Sequence, residues 1–175
     1  MIASVLATMA LPATEQFIER NQQTNFTNQL VSSLYLARSE AAKRGFPVTL
    51  CASSDQQTCD VEAKNYSKGW LVFVDYDNNG RASPNQVLFD LDGNGTPESP
   101  ELILLRSGSL DQRYTVEANV TSAVRRLTYL PSGQCTTRLF SLNLSHTKTQ
   151  QLFSKISFAI TGRIRACAPK ADGTC

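Results

Sequence analysis

The sequence predicts an α+β domain in which one long N-terminal helix packs against antiparallel β-structure. Three observations carry that expectation. Apolar residues recur at helical spacing up to a glycine at position 45. Beyond it the pattern changes to short β-rich runs separated by Gly- and Pro-containing turns. No second helical pattern follows.

The helix is predicted over 13–45. From Phe26 its apolar residues fall at Phe26, Leu30, Leu34, Ala37 and Ala41, the spacing of a single buried stripe. Asn28, Gln29, Ser32, Arg38, Ser39, Glu40 and Lys43 form the wet side. Glu40 precedes Lys43 and Arg44 by three and four residues, which favours ion pairing along one face. Lys43 and Arg44 suit the negative end of the helix dipole, Gly45 is placed as its C-cap, and Pro47 forbids continuation.

Residues 1–13 are almost wholly apolar, and no Lys or Arg occurs before Arg20. A secretory signal peptide would open on basic residues. The run is also shorter than the roughly 20 apolar residues of a bilayer span. It leads without a linker into the amphipathic segment. The division expected is therefore 1–25 as an apolar half-helix and 26–175 as a globular head that includes the amphipathic half. A length of 175 residues with 41% hydrophobic content is enough for one domain with its own core.

Short strands are predicted at 48–51, 70–74, 87–91, 102–106, 114–117, 125–130, 139–144, 153–160 and 163–167. Trp70–Val74 is a dense apolar run between Gly69 and the Asp-Asn-Asn-Gly turn, so it reads as a buried strand. Trp70 is assigned to the core, and the tyrosines do not form a stacking platform.

Five cysteines are scattered, without a CxxC pair, and the single histidine, His146, lies near none of them, which argues against zinc. The pattern suits disulfides in an oxidising compartment such as a periplasm. Cys51 and Cys59 bracket a turn-rich loop and are the first pair expected. Cys135 with Cys167 is the second, with Cys167–Cys175 as its rival. An odd count leaves one thiol unpaired.

Residues 1–105 carry a net charge of −5 and residues 106–175 a net charge of +7. Such polarity favours charged partners or head-to-tail stacking of subunits. Arg163 and Arg165 stand two apart in a predicted strand, which puts both on one face about 6.6 Å apart, with Ile164 and Ala166 facing inward. With Arg125, Arg126, Arg138 and Lys155 they form a candidate phosphate-binding stripe. The competing reading is a solvated strand face or a contact to a neighbouring subunit.

A second candidate is Asp90–Glu101. Asp90, Asp92, Asn94, Glu98 and Glu101 occupy positions 1, 3, 5, 9 and 12 of a calcium-loop frame, with Gly95 at 6. Asp75, Asp77, Asn79 and Gly80 echo it upstream, but Gln86 stands where the terminal carboxylate belongs. The same residues are ordinary turn formers, and that reading takes precedence over calcium for both loops. No other cofactor is expected. His146 is placed in a polar surface turn, and no nucleophile elbow, P-loop, dinucleotide fingerprint or HExxH accompanies it, which leaves no frame for catalysis.

Three motifs in order resemble the FimT/GspH family of type IV minor pilins and type II secretion pseudopilins. They are SEAxxRGxxVxLC at Ser39–Cys51, GWxVFxDxDxxG at Gly69–Gly80 and GRxR at Gly162–Arg165. The resemblance implies a pilin-like fold and a structural subunit that helps initiate or cap a pilus or pseudopilus. It implies partnership with other pilins through the N-terminal helix. It also implies passage through the inner membrane as a single-pass protein with a periplasmic head before assembly. GRxR-bearing relatives of the FimT type are associated with DNA capture during transformation, so DNA is an expected partner of the basic strand. The family's opening glycine and the glutamate at its fifth mature position match no residue here, and the expectation is that Met1 falls inside that apolar run.

Overall fold

The computed structural model describes residues 2–60, 63–82, 88–91, 93–94, 99–119, 126–136, 140–170 and 174–175. Helix α1 runs Ile2–Arg44 and ends as its residues dictate. The Gly45 amide donates to the Ala41 carbonyl at 3.1 Å with Gly45 at φ +76°, a left-handed cap. Arg44 Nε donates to Glu40 Oε2 at 2.6 Å, and Lys43 Nζ lies 3.7 Å from Glu40 Oε1. Leu30, Leu34, Ala37 and Ala41 are buried, as the stripe requires. Among the described residues, four polar side chains inside the helix bond back to its own turns: Thr24 to the Arg20 carbonyl, Thr27 to Gln23, Ser33 to Gln29 and Ser39 to Leu36.

Among the described residues ten strands follow: β1 (Val48–Ala52), β2 (Trp70–Val74), β3 (Leu88–Phe89), β4 (Ser99–Pro100), β5 (Ile103–Ser107), β6 (Tyr114–Asn119), β7 (Arg126–Tyr129), β8 (Phe140–His146), β9 (Leu152–Phe158) and β10 (Ile164–Cys167). They form one sheet in the order β5-β2-β1-β7, a second in the order β10-β9-β8-β6, and the ribbon β3-β4, with every pair antiparallel. The helix lies across both larger sheets, touching β1, β2 and β7 of the first and β9 and β10 of the second.

Register decides which side chains meet the helix. In the first sheet Val48, Leu50, Ala52, Trp70, Val72, Val74, Leu127 and Tyr129 face it, and in the second Val116, Leu142, Leu144, Ile156 and Phe158 do. The opposite face of β1 and β2 is also dry. Cys51, Leu71 and Phe73 pack with Ala82, Cys59 and Ile103 into a second, smaller core. Both strands are therefore buried at every residue, which explains why β2 reads as a continuous apolar run.

The Trp70 indole N–H donates to the Ser33 hydroxyl at 2.9 Å, joining strand to helix inside the core. Tyr66, Tyr114 and Tyr129 are buried, and Tyr114 packs against the rings of Phe26, His146 and Phe153. His146 departs from its expected surface turn. It ends β8, half-buried between the helix and β6, with Nε2 3.0 Å from Gln23 Nε2 and 3.1 Å from Glu19 Oε1. Its ring packs against those of Tyr114 and Phe153. The packing arises because Tyr114 and His146 are register partners at the sheet's end.

Candidate functional site

The turn after β2 is built around Asp75, which is fully buried. Its Oδ2 accepts the Thr49 hydroxyl at 2.7 Å and the Gly80 amide at 2.9 Å. The Thr49 and Thr128 hydroxyls stand 2.7 Å apart on neighbouring strands; since Thr49 donates to Asp75, Thr128 supplies the second proton. The carboxylate thus ties the turn to β1 and β7. Burial pushes the Asp75 carboxyl up; the Thr49 hydroxyl and the Gly80 amide pull it down, and the neighbouring Asp77 carboxylate adds to the rise. Asp77 accepts the Asn79 amide at 3.1 Å and its side-chain Nδ2 at 2.6 Å. Arg126 packs over Gly80, where a Cβ would collide with its guanidinium.

Glu101, at the end of the other predicted acidic loop, is buried and comes to this turn. One carboxylate oxygen from each of Asp75, Asp77 and Glu101 lies within 4.8 Å of the others. Asp90 instead accepts the amides of Gly93 at 2.8 Å and Asn94 at 3.1 Å, an ordinary turn. Among the described residues Asp90 does not join the acidic group. Asp92 and Glu98 lie outside the described residues.

The basic candidates separate. Arg163 and Arg165 are exposed while Ile164 is buried, and Arg165 pairs with Ser157 as Cys167 pairs with Lys155. Antiparallel partners share a face, so Arg163, Arg165 and half-buried Lys155 look out from one side of the second sheet. Ala166 is exposed, although its pairing with Ile156 keeps it on the inward side of the strand with Ile164, as expected. Arg126 belongs to the first sheet, over Gly80, and is no part of this face. Arg125 and Arg138 fall outside the described residues.

Cys51 and Cys59 are bridged, with Cα atoms 5.7 Å apart. The bridge closes a loop organised by Asp55, which accepts the amides of Thr58 and Gln57 at 2.8 Å each, the Thr58 hydroxyl at 2.7 Å and the Ser53 hydroxyl at 3.0 Å. Those donors, the Thr58 amide foremost, hold its carboxyl well below the usual carboxylate range. The expected Cys135–Cys167 pair does not form. Cys167 is bridged to Cys175, and Cys135 is buried outside either bridge. The Cys135 amide bonds to the Ile160 carbonyl, whereas Cys167 faces Lys155 five residues back along the same chain. The two therefore sit at opposite ends of a hairpin, on the order of 15 Å apart, when a bridge needs Cα atoms within about 7 Å.

Arg38 was assigned to the wet face and belongs at the core's edge. Its Nε donates to the Gly133 carbonyl at 3.2 Å, and its Nη2 lies 3.4 Å from the Thr161 carbonyl. One helix side chain so holds two turns. Gly162 sits against that Gly133 carbonyl, so a Cβ there has no room. The signal was in the spacing: Arg38 stands four residues after Leu34, on the buried stripe. Ser33, three after Leu30, carried the same signal.

The family model described as Type II transport protein GspH matches residues 27–162. The chain belongs to that family. No curated protein matches it significantly. Among solved structures it is similar to the type IV minor pilin FimU of Pseudomonas aeruginosa strain PAO1. The two share 23% identity and a TM-score of 0.55 over 88% of this chain and 97% of that one. It is also similar to GspH of E. coli, at 14% identity and a TM-score of 0.52 over 86% of this chain and 90% of that one. The structural likenesses establish the fold, one helix laid on antiparallel sheets, and the family match makes the chain a member of the minor pilin and pseudopilin family. Within it, Ser39–Cys51 closes the helix and opens β1, Gly69–Gly80 supplies β2 and the Asp75 turn, and Gly162 makes the tight approach to Arg38. Among the described residues, no helix is long and apolar enough to cross a membrane.

Proposed function

We propose that the protein is a structural subunit that helps initiate or cap a type IV pilus or type II secretion pseudopilus. Its N-terminal helix joins those of other pilins, and its head decides which subunits follow. The observation that carries this reading is a helix of 43 residues that is exposed at 15–18 and becomes fully buried against the head only from Leu30. Leu30, Leu34, Ala37 and Ala41 are spent on the core, while Phe17 and Ile18 are 66% and 53% exposed nearer the start of the helix. An apolar rod left in water is costly, and a bundle of like helices removes that cost. The opposite charges of the two chain halves favour ordered stacking. Before assembly the same helix would hold the chain at the inner membrane with its head in the periplasm, where Cys51–Cys59 and Cys167–Cys175 would be stable. Deleting the gene tests the role: loss of filaments or of secretion, restored by the wild-type chain, supports it, and unchanged assembly refutes it.

A second reading, favoured by one observation, is non-specific DNA binding. Arg165 projects from the outer face of β10 and Arg163 stands just before that strand, with Lys155 beside Arg165's register partner, and neither arginine enters an ion pair among the described residues. Phosphate contacts of this kind carry affinity without base information. A gel shift across a salt series, comparing wild type with the Arg163→Ala/Arg165→Ala variant, tests it. No retardation at low salt would end this reading while leaving the subunit role intact.

A further inference from the structure

We propose that Asp75, Asp77 and Glu101 form a binding site for a hard divalent cation, calcium, which clamps the turn after β2 to the segment entering β5. The three carboxylates each offer an oxygen within 4.8 Å of the other two. Asp75 is fully buried, and while its Oδ2 is held by Thr49 and Gly80, its Oδ1 has no hydrogen-bond partner. A fully buried carboxylate grouped with two others, one of its oxygens without a donor, is an arrangement that a counter-charge or a shared proton must relieve, and a bound cation does so directly. One ion answers both needs: it neutralises the group and gives Asp75 Oδ1 its partner.

The donor set selects the ion. All the offered ligands are oxygens, with no His or Cys in the group, which disfavours zinc and copper. Asp77 is exposed, so one side of the site is open to water. Calcium accepts about 6–8 oxygens in loose geometry and completes its shell with water. Magnesium requires a near-ideal octahedron at about 2.0–2.1 Å, which a cluster drawn from two separate chain segments is poorly shaped to give. The site also resolves the incomplete upstream loop. Asp75 and Asp77 provide the first and third positions of the frame, and Glu101 provides the closing carboxylate that Gln86 cannot.

The rival counter-charge is the Arg126 guanidinium, which packs over Gly80 next to this turn. If Arg126 serves instead, added cation does nothing.

The test uses the purified chain freed of metal with a chelator. Calcium should raise Tm by roughly 5–10 °C at a hundred times its Kd, and magnesium at the same concentration should do far less. Terbium should bind the same site and emit on excitation of the adjacent Tyr76, and calcium should displace it. Asp77→Asn and Glu101→Gln, which leave the Thr49 and Gly80 bonds of Asp75 in place, should melt within a few degrees of the metal-free wild type and bind calcium at least tenfold more weakly. An unchanged Tm at about 10 mM calcium, above the range of extracellular sites, overturns the proposal. So does an undiminished calcium response in both variants. Neither result bears on the subunit role.

Discussion

Gly162 lies against the carbonyl oxygen of Gly133 so closely that a β-carbon on Gly162 would overlap it, and Arg38 donates to that same oxygen. Gly45 has the same φ of +76° but nothing within 4 Å of where its Cβ would stand. The two positions therefore separate conformational strain from collision. Gly45→Ala should cost about 1 kcal/mol, and Gly162→Ala a further 1–3 kcal/mol or so, because backbone and not a pliable side chain blocks it. Urea denaturation of the two variants checks this. Equal losses would show that Gly133 moves aside freely.

The Trp70–Ser33 bond predicts a coupled pair. Ser33→Ala leaves a buried indole N–H without its partner and should cost about 1–3 kcal/mol. In a Trp70→Phe background the same substitution should cost almost nothing. A double-mutant cycle by chemical denaturation measures the coupling, and additive losses would contradict it.

The loop closed by Cys51 and Cys59 should tolerate mild acid and fail only in strong acid. Asp55 has its carboxyl lowered in the folded state, so its contribution is full above the ordinary carboxylate pKa and fades as pH falls below about 4. The Tm difference between wild type and Asp55→Ala should be constant from about pH 7 to 5 and shrink below about pH 4. A difference that shrinks between pH 7 and 5 would contradict it. Replacing both cysteines by serine should cost roughly 2–3 kcal/mol, from the entropy of the short loop they close.

If DNA is bound, the outer face of β10 sets its salt dependence. Arg163→Ala/Arg165→Ala should lower the slope of log affinity against log salt by about 2 for duplex DNA, uniformly across sequences. Arg126→Ala should leave that slope unchanged, since Arg126 sits in the other sheet over Gly80.

Much of the fold was legible where local pattern and tertiary role coincide. The Phe26–Ala41 stripe announced the buried face of α1, Gly45 and Pro47 its end, and the run Trp70–Val74 a strand dry on both sides. What was not legible depends on which distant segments meet. No local pattern marks how the strands divide into the two sheets that the helix crosses, and β4, a two-residue strand at Ser99–Pro100, is too short to show a pattern. His146 looked like a loop residue because its partners, Glu19 and Tyr114, come from elements far along the chain. The same holds for the acidic group. Two calcium-like frames were visible, but that Glu101 of the second would face Asp75 and Asp77 of the first follows from the turn and the β2–β5 pairing, not from spacing. Cys51–Cys59 was legible because one short loop joins the pair, whereas the second pair was not, since register placed Cys135 and Cys167 at opposite ends of one hairpin and left Cys167 to its rival partner Cys175.

The central claim is that α1 extends beyond the head in order to enter a helical bundle with other pilins. Its most direct test is to shear filaments from cells expressing an epitope-tagged chain from its own promoter, sediment them and probe the pellet. The account predicts that the tagged chain sediments with the filaments at a small fraction of the main subunit, and that Phe17→Asp/Ile18→Asp removes it from the pellet without unfolding the head. A chain that stays wholly in the membrane or periplasmic fraction while filaments form in normal number would contradict it.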